Sequence, residues 1–177
     1  MATLVLTVIG DDRAGLVDAL AGPIADHGGN WDRSHMARLA GKFAGIVVVT
    51  VADADVADLT GEFETLASQG VLDVRVAIAS TDGPADDTPM ATLHLVGQDR
   101  PGIIKEIASA LAARNVSIEE LETTTGSAPM SAEALFEATA RLRLPTGLGT
   151  DELCDALEDI ANELMVDLDL SETSERG

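Results

Sequence analysis

The sequence predicts an α+β protein made of two copies of one βαββαβ unit, each an antiparallel four-stranded sheet with both helices on one face. Three observations predict it. Gly10-Asp11-Asp12-Arg13-Ala14-Gly15-Leu16 recurs as Gly97-Gln98-Asp99-Arg100-Pro101-Gly102-Ile103, a register of 97 minus 10, or 87 residues. A repeat of that length is a duplicated domain rather than a solenoid unit. Around each copy of the motif, hydrophobic spacing switches from period 2 to period 3.6 in the same order. Between the copies, Thr81-Asp82-Gly83-Pro84-Ala85-Asp86-Asp87-Thr88-Pro89 interrupts any regular element with proline and glycine.

In the first copy Leu4, Leu6 and Val8 alternate with Val5, Thr7 and Ile9, a strand apolar on both faces. Leu16, Val17, Leu20 and Ile24 then share one helical stripe, which Gly28-Gly29 ends. Residues 30–38 and 43–51 read as hairpin strands around Leu39-Ala40-Gly41-Lys42. Leu59, Phe63, Leu66 and Ala67 recur at helical spacing, and Leu72, Val74, Val76 and Ile78 at strand spacing. The second copy repeats this with a longer hairpin. Its strands are expected over 92–97, 117–125, 135–144 and 166–170, with helices over 102–114 and 152–164, the latter capped by Asp151. The resulting domain bounds are 1–80, a linker at 81–90, 91–171, and a polar tail at 172–177.

Helices on one face leave the other face of each sheet open. In the first copy that face presents Val5, Ile9 and one of two sets, Val47 with Val49 or Ile46 with Val48, too apolar to leave in water. In the second copy Glu137, Thr139, Arg141 and Arg143 alternate with Phe136, Ala138, Ala140 and Leu142, which predicts a more polar open face.

Composition narrows the function. The chain has 177 residues, 46% of them hydrophobic, enough for two small cores. Its 31 acidic and 11 basic residues give a net charge of -20, without the clustered cations that replace counterions on a phosphate backbone, so no direct nucleic-acid contact is expected. A solvated acidic surface is the plain reading, with adaptation to high salt or a basic protein partner as alternatives. The longest apolar stretch, Ile46 to Val49, falls far below the roughly 20 residues of a membrane span. Met1-Ala2-Thr3-Leu4 lacks a basic n-region and Cys154 has no second cysteine to pair with, so a cytoplasmic protein free of membrane is expected.

The repeated turn carries the chemistry. A glycine ends the strand, Asp11-Asp12 or Gln98-Asp99 follows, and Gly15 or Gly102 opens the helix. Free N–H groups at a helix N-terminus favour a carboxylate and Asp12 or Asp99 accepts from an ammonium group, so an amino acid suits both. Two roles are open to Arg13 and Arg100, a clamp on that carboxylate or a pair with the neighbouring Asp. The bland alternative for the turn is a tight connection whose Asp caps the helix. Phosphate-loop chemistry is excluded: Leu16-Val17 and Ile103-Ile104 stand where Lys-Ser/Thr is required, and no G-x-G-x-x-G follows a strand.

D-R-x-G in a strand-to-helix turn within tandem βαββαβ units resembles the ACT domain, a regulatory amino-acid-binding module of ferredoxin-like fold. More narrowly, Ser34-His35-Met36-Ala37-Arg38-Leu39 leading to Phe43, and Ala128-Pro129-Met130-Ser131-Ala132 leading to Leu135-Phe136 and Leu144-Pro145, look like the glycine cleavage system transcriptional repressor family. The resemblance implies a non-enzymatic regulator that senses glycine or a related small amino acid and acts through a DNA-binding activator protein. It also implies pairing of ACT units, within one chain or in a homo-oligomer. The positions carried over are Asp11, Asp12, Arg13, Ala14, Gly15 and Leu16, then Gln98, Asp99, Arg100, Pro101, Gly102 and Ile103, with Asn30 and Asn115 as neighbours. Ala14 replaces the proline of the second copy and its fixed φ, which favours Asp99 and its turn as the binding site.

Catalysis has no visible machinery. His27, His35 and His94 lie on separate elements away from a nucleophile, Cys154 sits between apolar helix positions, and no Cys/His cluster has zinc spacing. Neither metal nor cofactor is expected. Competing readings are a pure interaction module working through the apolar open face, and a regulatory relative of a folate-linked deformylase.

Overall fold

A computed structural model of the chain describes residues 1–79, 88–127 and 134–172. Two compact units divide it, Met1–Gly83 and Pro84–Gly177. In the first, strand β1 (Ala2–Asp11) leads through the turn to α1 (Leu16–Asp26), then β2 (Asn30–Leu39), β3 (Lys42–Val51), α2 (Val56–Ser68) and β4 (Asp73–Ile78). The second unit runs β5 (Met90–Gln98), α3 (Ile103–Ala112), β6 (Ser117–Ser127), β7 (Ala134–Arg143), α4 (Thr150–Leu164) and β8 (Val166–Glu172). The sheets have strand orders β2-β3-β1-β4 and β6-β7-β5-β8, all neighbours antiparallel. These are two ferredoxin-like α+β units, as the spacing predicts.

Period 2 decides which side chains enter each core. Leu4, Leu6 and Val8 of β1 face Val47 and Val49 of β3 and pack beneath Leu16, Leu20, Ile24, Leu59 and Phe63 of the helices. Val47 and Val49 are therefore the core set, and Ile46 and Val48 the outward one. Ile9 and Ile46 on that outer face are 47% and 53% exposed. In the second unit Leu93, Leu95, Phe136, Ala138, Ala140 and Leu142 pack against Ile103, Ile107, Leu111, Leu153 and Leu157. Its outer face is polar, with Arg141 donating to Glu120 and Arg143 to Glu119, both at 2.9 Å.

Two local expectations are corrected. Gly10 and Gly97 do not end their strands, which continue to Asp11 and Gln98. They are needed for close approach: a Cβ on Gly97 would lie 2.4 Å from Val166 Cγ1, and one on Gly10 would lie 2.9 Å from Leu72 Cδ2. The chain entering β4 at Leu72, and the first residue of β8, Val166, can thus press against the strand that feeds the turn. Asp151 is not the cap of α4 either; the helix starts at Thr150, and extended Gly149 holds the cap position without a side-chain bond. The residues at 80–87, 128–133 and 173–177, which include most of the expected linker, the Ala128–Ala132 motif and most of the tail, lie outside the described residues.

The two faces of β3 make a sharp test. Val47→Lys buries a charge in an apolar core and should cost about 3–5 kcal/mol in chemical denaturation, whereas Ile46→Lys should stay within about 1 kcal/mol of wild type. Gly97→Ala should destabilise by about 1–3 kcal/mol through overpacking against Val166.

Candidate functional site

Each turn joins the first strand of its unit to the first helix through a glycine in the left-handed region, Gly15 at φ 89° and Gly102 at φ 97°. An L side chain rarely adopts that backbone, and glycine adopts it without a steric cost. Both glycines occupy the N-cap position, and neither helix has a side-chain cap. Asp12 and Asp99 therefore do not cap their helices, which corrects that part of the bland reading, while the tight glycine connection it also expects is present. The first intrahelical bonds run from Ala19 N to Gly15 O and from Glu106 N to Gly102 O. Backbone N–H groups of Leu16, Val17 and Asp18, and of Ile103, Ile104 and Lys105, precede those bonds and form the positive end of each helix.

The hairpin reaches the turn in both units through the same backbone bond, Asp12 N to Gly41 O and Asp99 N to Ala134 O, each 2.9 Å. Side chains around that shared bond differ. In the first unit Arg38 Nη1 donates to Asp12 Oδ2 at 3.1 Å and Lys42 pairs with Asp11. The Lys42 ammonium, through its hydrogen bond and then its charge, holds the Asp11 carboxyl below its ordinary range, with Arg13 adding a smaller effect of the same sign. In the second unit Arg100 pairs with Glu106 at 3.3 Å, not with the adjacent aspartate. The Asp99 carboxylate has no hydrogen bond or ion pair among the described residues.

The remaining candidates separate by location. Leu16 and Ile103 are buried in their cores, so what they can offer a ligand is a backbone N–H. Ala14 and Pro101 occupy exposed turn positions. Asn30 opens β2, and its side chain donates to Asp32 Oδ1 at 2.5 Å. Asn115 instead holds a left-handed turn residue, φ 56°, at the position where the first unit has Gly28, φ 63°. The two asparagines are thus not equivalent sites. Arg38, Lys42 and Glu106 complete the electrostatics of the turns, and the motif alone did not single them out. For Arg38 and Lys42 the signal was the hairpin register, which sets Lys42 opposite Asp11 across 31 residues of chain, and for Glu106 it was its place six residues after Arg100.

Beneath α3 lies a groove with aliphatic walls, including Leu93, Ile103, Ile104, Ile107, Ile118 and Leu121, of about 370 Å³ counting its open mouth. Register places Ile118 opposite Leu142 as Trp31 is placed opposite Val49. A bulkier side chain thus covers the corresponding part of the first unit.

A family model described as ACT domain matches residues 2–77. An unknown protein from Galdieria sulphuraria is 32% identical over 98% of this chain and 99% of its own, with a TM-score of 0.86. Residues 2–77 belong to the ACT-domain family, and the second unit repeats their fold. The chain's tandem ACT fold is also that of a protein provisionally named a glycine cleavage system transcriptional repressor, 17% identical over 98% of each chain with a TM-score of 0.73. No curated protein matches the chain.

Two other titratable groups, His27 and Cys154, have shifted protonation equilibria. His27 Nδ1 lies 2.9 Å from the Pro23 carbonyl, which raises the imidazole pKa against the opposing effect of burial, with Glu62 adding to the rise. Burial, and then the carboxylates of Glu158 and Asp155, push the Cys154 thiol up, which disfavours the thiolate. Among the described residues no cluster of three His, Cys, Asp or Glu could hold a metal, and no helix is long and apolar enough to cross a membrane.

A carboxylate with a depressed pKa stabilises the fold above its unfolded pKa, and that contribution is lost as pH falls through the folded one. Lys42→Leu should therefore move the Asp11 titration, followed by carboxyl NMR, up toward the ordinary aspartate range and remove that acid-side dependence.

Proposed function

We propose that this tandem ACT protein is a non-enzymatic regulator that senses a small amino acid of the glycine class at the turn between β5 and α3. The observation that carries the reading is the Asp99 carboxylate, unpaired among the described residues, on a turn whose helix begins at Gly102 without a side-chain cap. An ammonium group would pair with Asp99 and a carboxylate would accept from the N–H groups of the first helical turn. Gln98, Arg100 and Pro101 frame that cradle, and the second-unit turn is the principal site. The output is a protein partner, a DNA-binding activator, in keeping with the provisional name of the structural neighbour and with a chain of net charge -20 that is ill suited to grip DNA itself. Such a protein works in the cytoplasm, in pairs of ACT units.

Thermal unfolding with a panel of amino acids tests this. A ligand at about 100 times its dissociation constant stabilises by about 2.7 kcal/mol, which for a chain of this size is roughly 5–10 °C. Glycine or serine should raise Tm in wild type and fail to do so in Asp99→Asn. A flat response to the whole panel would sink the sensing reading.

The exposed Ile9 and Ile46 favour a second reading, an interaction module that needs no ligand. It predicts no response to the panel, together with self-association that Ile46→Lys abolishes in sedimentation velocity.

A further inference from the structure

The two turns share a backbone and differ in who satisfies their acids. We infer that Arg38 and Lys42 occupy the first turn in place of a ligand, so that each chain binds one amino acid and binds it at the second turn. This rests on the sensing function proposed above.

Register supplies the comparison. Lys42 stands opposite Asp11 in the β1–β3 ladder, and the corresponding pair of the β5–β7 ladder is Leu135 opposite Gln98. Arg38 stands opposite Phe43, and its counterpart opposite Phe136 is Thr125. Duplication therefore left Asp12-Arg13 and Asp99-Arg100 alike and changed three neighbours: Asp11, Lys42 and Arg38 in one copy stand where the other has Gln98, Leu135 and Thr125. The guanidinium of Arg38 already takes Asp12 Oδ2, the atom an incoming ammonium group would need. Its hairpin is tied to the turn by the bond from Asp12 N to Gly41 O, so the cation competes with a free ligand as an intramolecular partner. Arg38 and Lys42 are both well exposed, at 71% and 58%, so each pair is weak alone. The two pairs act together on adjacent acids, so a ligand ammonium group at this turn competes with both cations. Ala14, lacking the fixed φ of Pro101, acts in the same direction.

Titration of the full chain with glycine, alanine and serine, read by amide chemical shifts, resolves the two turns separately. In wild type the amides of Gly102 to Lys105 should move, and those of Gly15 to Asp18 should stay still up to concentrations that saturate the second turn. The double variant Arg38→Thr with Lys42→Leu, which copies the second unit at exposed positions, should bring Gly15 to Asp18 into the titration and raise the stoichiometry from one to two. Asp99→Asn should remove the wild-type response, and Asp12→Asn should leave it unchanged. Equal movement of both turns in wild type, or an unresponsive first turn in a folded double variant, overturns the inference while sensing stands. If none of the three amino acids moves either turn in any variant, the sensing function itself falls, and this inference with it.

Discussion

The left-handed glycine between strand and helix is the constraint on which each unit depends. Gly15 and Gly102 reverse the chain steeply enough for Leu16 and Ile103, the very next residues, to enter the core under the sheet. Anchoring the helix at its first residue fixes where its amide end lies relative to the end of the central strand. A residue with a Cβ would strain the reversal, and a longer turn would let the helix end drift. The position of the turn is thus a consequence of core packing: the same geometry that buries the first helical residue fixes the amide end of the helix beside the end of the central strand.

Close approach at Gly10 and Gly97 supports that constraint from behind. The strand that feeds the turn also has to accommodate the start of the unit's last element, at Leu72 just before β4 or at Val166 of β8, with no space for a Cβ. Local backbone and global topology therefore agree at one point, where the first element hands over to the second and the last element closes the sheet. Duplication preserved this frame and left the surface chemistry free to diverge. One sheet has an apolar outer face around Ile9 and Ile46, and the other carries the Arg141–Glu120 and Arg143–Glu119 pairs there.

Much of the fold was legible because its signals are local. Period 2 in Leu4, Leu6 and Val8 and period 3.6 in Ile103, Ile107 and Leu111 identify element types, and their repetition gives the order of elements. The cap of α4 is not legible locally: Asp151 has the right side chain, but the backbone bond from Leu153 N to Gly149 O starts the helix earlier. Similarly, a strand interior and a strand end look alike when the residue is glycine, and what distinguishes Gly97 is Val166, a neighbour 69 residues away, 166 minus 97.

The sequence by itself determined the duplication, the βαββαβ order, the ACT resemblance and the turn as the place to look, since each depends on residues close together in the chain. Tertiary structure decided which apolar set of β3 is core, because a one-residue change of register exchanges the faces and sequence spacing fits both. It also decided the state of the acids in the two turns. Asp12 and Asp99 carry the same motif, yet their partners come from a hairpin strand, and a pairing such as Arg38 with Asp12 exists only once antiparallel register has brought distant residues to the same end of the sheet.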